Sequence, residues 1–483
     1  STCLVGSEMC IRDRYYISLL FIFPILVFAA WNSQSQKSND KVNEKDAENI
    51  KLIYEEALSN GKCYSDLEYL CKQIGGRLSG SPQAAAAVEW ARQTLQKMDF
   101  DTTYLQEVMV PHWVRGEKEQ ARIISKHIGW HDVNVCALGN SVATDKLGIT
   151  APVIEITDLK ELAKLGRKKV AGKIVFHNRK MHDKDIDTFD SYGTCVGDRY
   201  DGAPEAAKYG AVAFVLRSLG HFVDEHPHTG NMAYIDGIEK IPAAAISTKH
   251  ADMLSGLLTK DKDLTFHLKM NCETLPDELS YNVISEIRGS ELPNEVVVVS
   301  GHLDAWDNGE GAHDDGAGSV QSMEVLRILK NLNIQPKRTV RCVLFMNEEN
   351  GTRGAKKYAA WAKENGENCI AAIESDMGGF TPRGFSIDAA DSLLTERLKA
   401  CQAFTPLFEP YNVHKITKGF SGVDVQYLKP HGTTCIGFVP DPQRYFDYHH
   451  TPNDTFDKVN KRELEMGAAT MASLTYLLAK YGL

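Results

Sequence analysis

Glu295-Val296-Val297-Val298-Val299-Ser300-Gly301-His302-Leu303-Asp304 decides the fold. An unbroken run of β-branched residues reads as a strand buried on both faces, the kind found in parallel sheets covered by helices. Downstream, Gly316–Leu332 carries Val320, Met323, Leu326 and Leu329 at helical spacing. Thr339–Met346 reads as the next strand, Arg353–Glu364 as a helix, and Cys369–Glu374 and Thr433–Val439 as further strands. Lys461–Tyr481 is predicted as a closing helix, capped by Asn460, with Leu464, Met471, Leu474 and Leu478 inward. Strands alternating with helices predict an α/β fold: a mixed, mostly parallel sheet sandwiched by helices. Upstream, Ser81 followed by Pro82 is a helix start, and Ala84, Val88, Ala91, Leu95 and Met98 extend a helix over Pro82–Met98.

Between these parts the pattern changes. Residues 111–280 carry short strands such as Lys173-Ile174-Val175-Phe176, one helix at Pro204–Tyr209 and a further apolar run at Ala211–Leu216. That segment reads as a β-rich unit inserted into a domain formed by 41–110 and 281–483. Residues 1–40 read as something other than fold. Cys3–Asp13 resembles a translated sequencing-library adapter. Ile17–Ala30 is apolar, follows Arg12 and Arg14, and ends on small residues. A spanning helix needs about 20 apolar residues, so this run is expected to be a cleaved export signal, leaving no stable membrane span. Ser33–Asp46 then serves as a linker, and the product is exported.

The 483 residues include 54 Lys+Arg against 64 Asp+Glu, a net charge of −10. With 43% hydrophobic and 24% charged residues, the chain is neither disordered, collagenous nor coiled coil. The acidic balance and the lack of a basic run exclude a nucleic-acid or membrane-surface binder. Eleven Cys without a CxxC pair make no disulfide scaffold.

The chemistry gathers where strands end. The valine run ends in His302-Leu303-Asp304, and Asp314-Asp315-Gly316 precedes the next helix. Later strands end in Asn347-Glu348-Glu349 and Ser375-Asp376, and a last loop holds Tyr448-His449-His450-Thr451 with Asp454-Thr455. Ligands of open α/β sheets bind beyond the carboxyl ends of the strands, so these residues converge on one rim. Packed carboxylates repel unless protonated or bound to a cation. Imidazoles among them favour zinc, and five ligands suit two metals about 3.5–4 Å apart. Singly, each residue has a plainer reading: Asp315 as a helix cap, a strand-end His as a loop hydrogen bonder, Glu348-Glu349 as a solvated pair. Together they are harder to dismiss. Gly309, Gly311, Gly316 and Gly318 lack phosphate-loop spacing and sit among repelling acids, and no GxSxG elbow marks a Ser hydrolase.

These motifs, with Gly76-Arg77-Leu78-Ser79-Gly80-Ser81, resemble the co-catalytic dizinc metallo-aminopeptidase family, in its carboxypeptidase Q-like branch, from about Asp46 to the C-terminus. The resemblance implies two zinc ions per chain: His302 and Asp376 on one, Glu349 and His450 on the other, and Asp314 bridging. It implies Glu348 as general base toward a water between the metals, and Asp304 orienting His302. Asp315 would follow an unusual peptide bond. His450 is preferred to His449 as the last ligand because it directly precedes the Thr-x-x-Asp-Thr stretch; Tyr448 or His449 would support the oxyanion. Val170–Val175, Ala206–Val215 and Ile241-Pro242-Ala243 are similar to a protease-associated domain, which in relatives lids the cleft.

The implied enzyme is a zinc exopeptidase, an aminopeptidase or dipeptidase, acting on short peptides, with room for a homodimer. The competing readings are a receptor-like binding protein on the same fold, disfavoured because every ligand position is filled, and an amide hydrolase or glutaminyl cyclase-like enzyme. Arg383 is weighed as a peptide-carboxylate anchor against a surface arginine, and Asp424 as metal-site support against a loop cap. Asn350-Gly351-Thr352 and Asn453-Asp454-Thr455 match the glycosylation pattern by chance.

Overall fold

A computed structural model describes residues 44–483. The adapter-like stretch and the export signal lie outside the described residues. In chain order the strands are β1 (Thr102–Val114), β2 (Gln120–Ser125), β3 (Gly129–Val133), β4 (Val135–Ala137), β5 (Ile149–Ile156), β6 (Ile174–His177), β7 (Ala213–Arg217) and β8 (Ala243–Ile246). They continue as β9 (Thr265–Lys269), β10 (Glu273–Ile287), β11 (Leu292–His302), β12 (Arg338–Phe345), β13 (Asn368–Glu374), β14 (Pro382–Asp388), β15 (Lys415–Lys418) and β16 (Thr434–Pro440). The helices that matter for the site are α1 (Pro82–Lys97), α2 (Thr188–Lys208), α3 (Ala317–Asn331), α4 (Arg353–Glu364) and α5 (Lys461–Tyr481).

The valine run is the middle of a sheet ordered β1-β10-β12-β11-β13-β16-β14-β15. It pairs in parallel with β12 (Val297↔Val340) and with β13 (Val298↔Ala372). Its side chains alternate between two cores. Val297 and Val299 face Leu326 of α3 and Leu474 of α5. Val296 and Val298 face Ala355 and Tyr358 of α4. A side chain sealed on either face contributes about 1.5–3 kcal/mol, which is why no polar residue interrupts the run. The sheet is mixed as expected: β14 runs antiparallel to β16, and β10 antiparallel to β12.

A second sheet, ordered β3-β2-β9-β5-β6-β7-β8-β4, occupies residues between β1 and β10. These two long strands pair antiparallel from Thr102↔Glu286 to Val114↔Glu273. The chain therefore leaves and re-enters the first sheet along one ribbon. The expected limits at 111 and 280 fall inside β1 and β10, because the ribbon is polar and half exposed and reads like the β-rich segment beyond it.

The helix expected at Pro204–Tyr209 is only the end of α2, which starts at Thr188 under an Asp187 cap on Phe189 N at 3.0 Å. Gly193, Gly197 and Gly202 disguised it as turns. Packing overrides that propensity: a Cβ on Gly202 would lie 2.2 Å from Phe214, so the glycine lets α2 settle on β7. Trp306, from the loop after β11, is buried in the core of the second sheet beside Trp113 and Ala137. The nine cysteines among the described residues are buried and free. No helix among the described residues is long and apolar enough to cross a membrane.

Candidate metal centre

The rim is built by strand ends that a buried arginine ties together. Arg77 is fully buried and donates to the carbonyls of Leu303 (2.6 Å), Glu310 (2.8 Å) and Gly311 (3.0 Å). Two residues on, Ser79 Oγ donates to Asn350 Oδ1 at 2.9 Å and accepts from Asn347 Nδ2 at 2.8 Å. The Gly-Arg-Leu-Ser-Gly-Ser stretch thus braces both the loop after β11 and the loop after β12.

His302 ends β11. Its Nδ1 lies 2.9 Å from the Asp304 carbonyl. A carbonyl only accepts, so Nδ1 donates to it and Nε2 is the atom turned into the site. The Asp304 carboxylate works elsewhere: it accepts from Asn347 N (2.7 Å), Glu348 N (3.1 Å) and Glu349 N (3.4 Å), setting the loop that presents both glutamates. Asp304 thus meets His302 Nδ1 through its backbone carbonyl, with its carboxylate 3.9 Å from the same nitrogen. Asp315 Oδ2 accepts from His302 N and Oδ1 from Gly318 N, both at 2.9 Å, so the helix-cap reading of this residue accounts for its bonds. The Asp314–Asp315 peptide bond is cis. Asp454 accepts from His313 N (2.8 Å) and Asp314 N (3.1 Å) and so holds Asp314 in place.

The side chains meet. His302 Nε2 is 3.2 Å from Asp314 Oδ1, 3.3 Å from Asp376 Oδ1 and 4.0 Å from Glu348 Oε2. His450 Nε2 is 3.1 Å from both Asp314 Oδ2 and Glu349 Oε2. Asp314 therefore stands between the two histidines. His450 Nδ1 lies 3.2 Å from the Thr229 carbonyl, so its Nε2 is also turned inward. That carbonyl belongs to the second-sheet segment and was invisible in the sequence, since a backbone oxygen carries no residue signature. His449 stacks on His450 at 3.5 Å, with Nε2 3.7 Å from Asp314 Oδ2. Tyr448, in contrast, stacks on His313 at 5.2 Å and on Phe380 at 6.3 Å. Two other tyrosines feel the cluster: burial, then the charges of Asp314 and Asp376, push the Tyr445 hydroxyl well above the usual range, and burial, with Asp314 and Glu348 adding to it, raises Tyr192.

Electrostatics mark the site as built for cations. Burial raises Glu348 well above the carboxylate range, and Asp376, Glu349 and Asp424 add to it. Burial and Asp314 push Glu349 up to about 7. Burial works against the His450 imidazolium, but Glu349 and Asp314 outweigh it and raise it to about 9. His302 Nε2 and Glu349 Oε1 are buried without a hydrogen-bond partner. Ring nitrogens facing carboxylate oxygens at this range need a positive charge between them, either a ring proton, which the acids favour in both His302 and His450, or a bound cation. Donors 3.1–3.3 Å apart also suit a tetrahedral ion with bonds of about 2.0–2.2 Å. The residues fit zinc. A small cleft adjoins them, lined by Trp306, Asn308, Asp314, Glu349 and His450 among others.

Arg383 is ion-paired to Asp441 at 2.9 Å and is partly exposed, which settles it as a surface pair rather than a free anchor. Asp424 is buried with neither carboxylate oxygen hydrogen-bonded. Asn350 is buried within the bonds described above, in keeping with a chance glycosylation match.

Imidazoles and carboxylates gathered at the strand ends of this sheet define a metal-dependent hydrolase. The model for Peptidase family M28 matches residues 282–475. The chain is 36% identical to carboxypeptidase Q of Homo sapiens over 422 residues, covering 87% of this chain and 86% of that relative. The chain belongs to peptidase family M28. A crystal structure of a Peptidase M28 precursor from Shewanella amazonensis SB2B superposes with a TM-score of 0.85 at 35% identity, covering 91% of this chain and 98% of that one. A zinc aminopeptidase from Bacillus subtilis shares the fold, with a TM-score of 0.63 at 19% identity, over 88% of this chain and 97% of that one.

Proposed function

We propose that this zinc-dependent exopeptidase hydrolyses short peptides at a pair of zinc ions held by His302, Asp314, Glu349, Asp376 and His450. The single observation that carries the reading is Asp314, whose two oxygens face His302 and His450 separately. His302 and Asp376 would hold one ion, Glu349 and His450 the other, and Asp314 would belong to both. Zinc, when bound, polarises the scissile carbonyl and lowers the pKa of the attacking water toward 7.

Glu348 is the general base. Its carboxylate is displaced from the ligand atoms but remains 4.0 Å from His302 Nε2, and its backbone is pinned by Asp304. Glu348 accepts the proton of the attacking water and returns it to the leaving amine. His449 is buried and held well below the usual imidazole range by burial and by His450, so it stays neutral and can donate a hydrogen bond to the developing oxyanion. Tyr445 is the second candidate donor. The second-sheet segment, read as a protease-associated domain, closes one side of the cleft and fixes His450 through Thr229. Residues 17–30 are read as the export signal of this enzyme.

A panel of dipeptides and aminoacyl-anilides, assayed with and without chelator, tests the reading. Chelator-sensitive cleavage of substrates with a free amine supports it. Cleavage confined to amine-blocked peptides overturns the aminopeptidase or dipeptidase action.

A further inference from the structure

The second sheet brings a cation to the edge of this acidic site. Arg199, on α2, is 8% exposed. Among the other buried arginines, Arg115 pairs with Asp307, Arg217 with Asp252, Arg327 with Glu324 and Arg341 with Glu367. Arg77 is saturated by carbonyls. Arg199 stands apart, with no carboxylate within ion-pair distance among the described residues. Its Nε donates to the Asn231 carbonyl at 3.3 Å, and its Cζ lies 5.8 Å from the Tyr192 ring, whose hydroxyl it also engages. A buried guanidinium loses its hydration and needs acceptors in its place: Arg77 has several carbonyls, whereas Arg199 has one carbonyl and a ring, which leaves room in its fork for an anion.

A slot is built for it. Gly230, at φ +140°, passes so close that a Cβ there would lie 2.3 Å from Arg199 Cζ and Nη1. Gly230 follows Thr229, the residue whose carbonyl orients His450. The Tyr192 ring meets His449 edge-on at 5.2 Å, and His449 in turn faces Asp314. One short segment and one helix thus link an unpaired cation to the metal ligands. A guanidinium presents a planar fork of donors matched to a carboxylate.

We propose that Arg199, assisted by Tyr192, recognises the free C-terminal carboxylate of the substrate. This rests on the exopeptidase reading and deepens it: the substrates are short peptides whose terminal carboxylate lies close behind the scissile bond, as in a dipeptide. Arg199 is a specificity residue, and Gly230 positions it.

The test compares an unblocked dipeptide with the same dipeptide amidated at its C-terminus, using zinc-loaded full chain. Wild type favours the acid. In Arg199→Met the acid-over-amide ratio of kcat/KM falls by about 30-fold, the range of a charged hydrogen bond, through KM more than kcat, and Arg199→Lys restores part of it. Calorimetry with the product amino acid and its amide reads the same preference without turnover. An unchanged ratio in a folded Arg199→Met chain, with unchanged product binding, overturns the proposal. Wild type that cleaves neither peptide overturns the exopeptidase reading instead, and the calorimetric arm still decides the role of Arg199.

Discussion

The two sheets meet the same cleft with opposite means. The larger one delivers acids in excess: Asp314, Glu348, Glu349 and Asp376 stand at its strand ends with two histidines among them. The smaller one delivers a backbone carbonyl at Thr229 and a single unpaired arginine at residue 199. The first arrangement is unstable without cations, so it defines a metal centre. The second leaves a guanidinium with no carboxylate beside it, the feature proposed above for recognition. In the proposed division the larger sheet does the chemistry and the smaller one selects what is presented to it, and they meet at His450, whose Nδ1 faces the Thr229 carbonyl and whose own carbonyl accepts from Thr229 N.

That division can be broken in order of expected effect. Glu348→Gln removes the base while leaving the ligand set, and should lower kcat by about 10²–10⁴-fold with zinc content unchanged by elemental analysis. Near-normal turnover in that variant would move the base elsewhere. Asn308→Ala touches the junction of the two regions, since Asn308 Nδ2 donates to the His450 carbonyl at 3.0 Å. Zinc affinity, measured by competition with a chromophoric chelator, should weaken about 10–100-fold. Gly230→Ala should leave zinc content intact yet reduce the acid-over-amide preference about 10-fold, because the added methyl displaces the Arg199 fork and loses a charged hydrogen bond. Equal losses on both substrates would mean that the second sheet acts only through His450. Tyr448→Phe should change kcat by less than about 2-fold, a typical surface-scale effect of under 0.5 kcal/mol, while His449→Phe costs more.

The larger sheet was legible in the sequence and the smaller one was less so, for a physical reason. Buried parallel strands must be apolar throughout, so Val296–Val299 could be read directly, and each strand's polar end then announced a ligand. Arg353–Glu364 and Lys461–Tyr481 have the predicted limits: both carry an apolar face, and Asn460 caps the second by accepting from Arg462 N and Glu463 N. The ribbon of β1 and β10 hid the domain joins, and the glycines of α2 hid its first turns. The resemblance left Tyr448 and His449 both open for the oxyanion; the Tyr448 ring stacks on His313 and Phe380, whereas His449 stacks on His450, a difference no sequence pattern could show. Arg199 gave no signal at all: an arginine is remarkable only when its lack of a partner can be seen in three dimensions. Arg383, which did attract notice, is neutralised by Asp441.

The central claim is that Asp314 joins two zinc sites. The most direct measurement titrates zinc into chelator-stripped full chain while recording bound metal and dipeptide hydrolysis together. The account predicts that hydrolysis is lost on stripping, returns with zinc, and saturates at two ions per chain, and that Asp314→Ala binds neither ion tightly. Full activity in metal-free protein, or saturation at a single ion with Asp314→Ala unaffected, would contradict it.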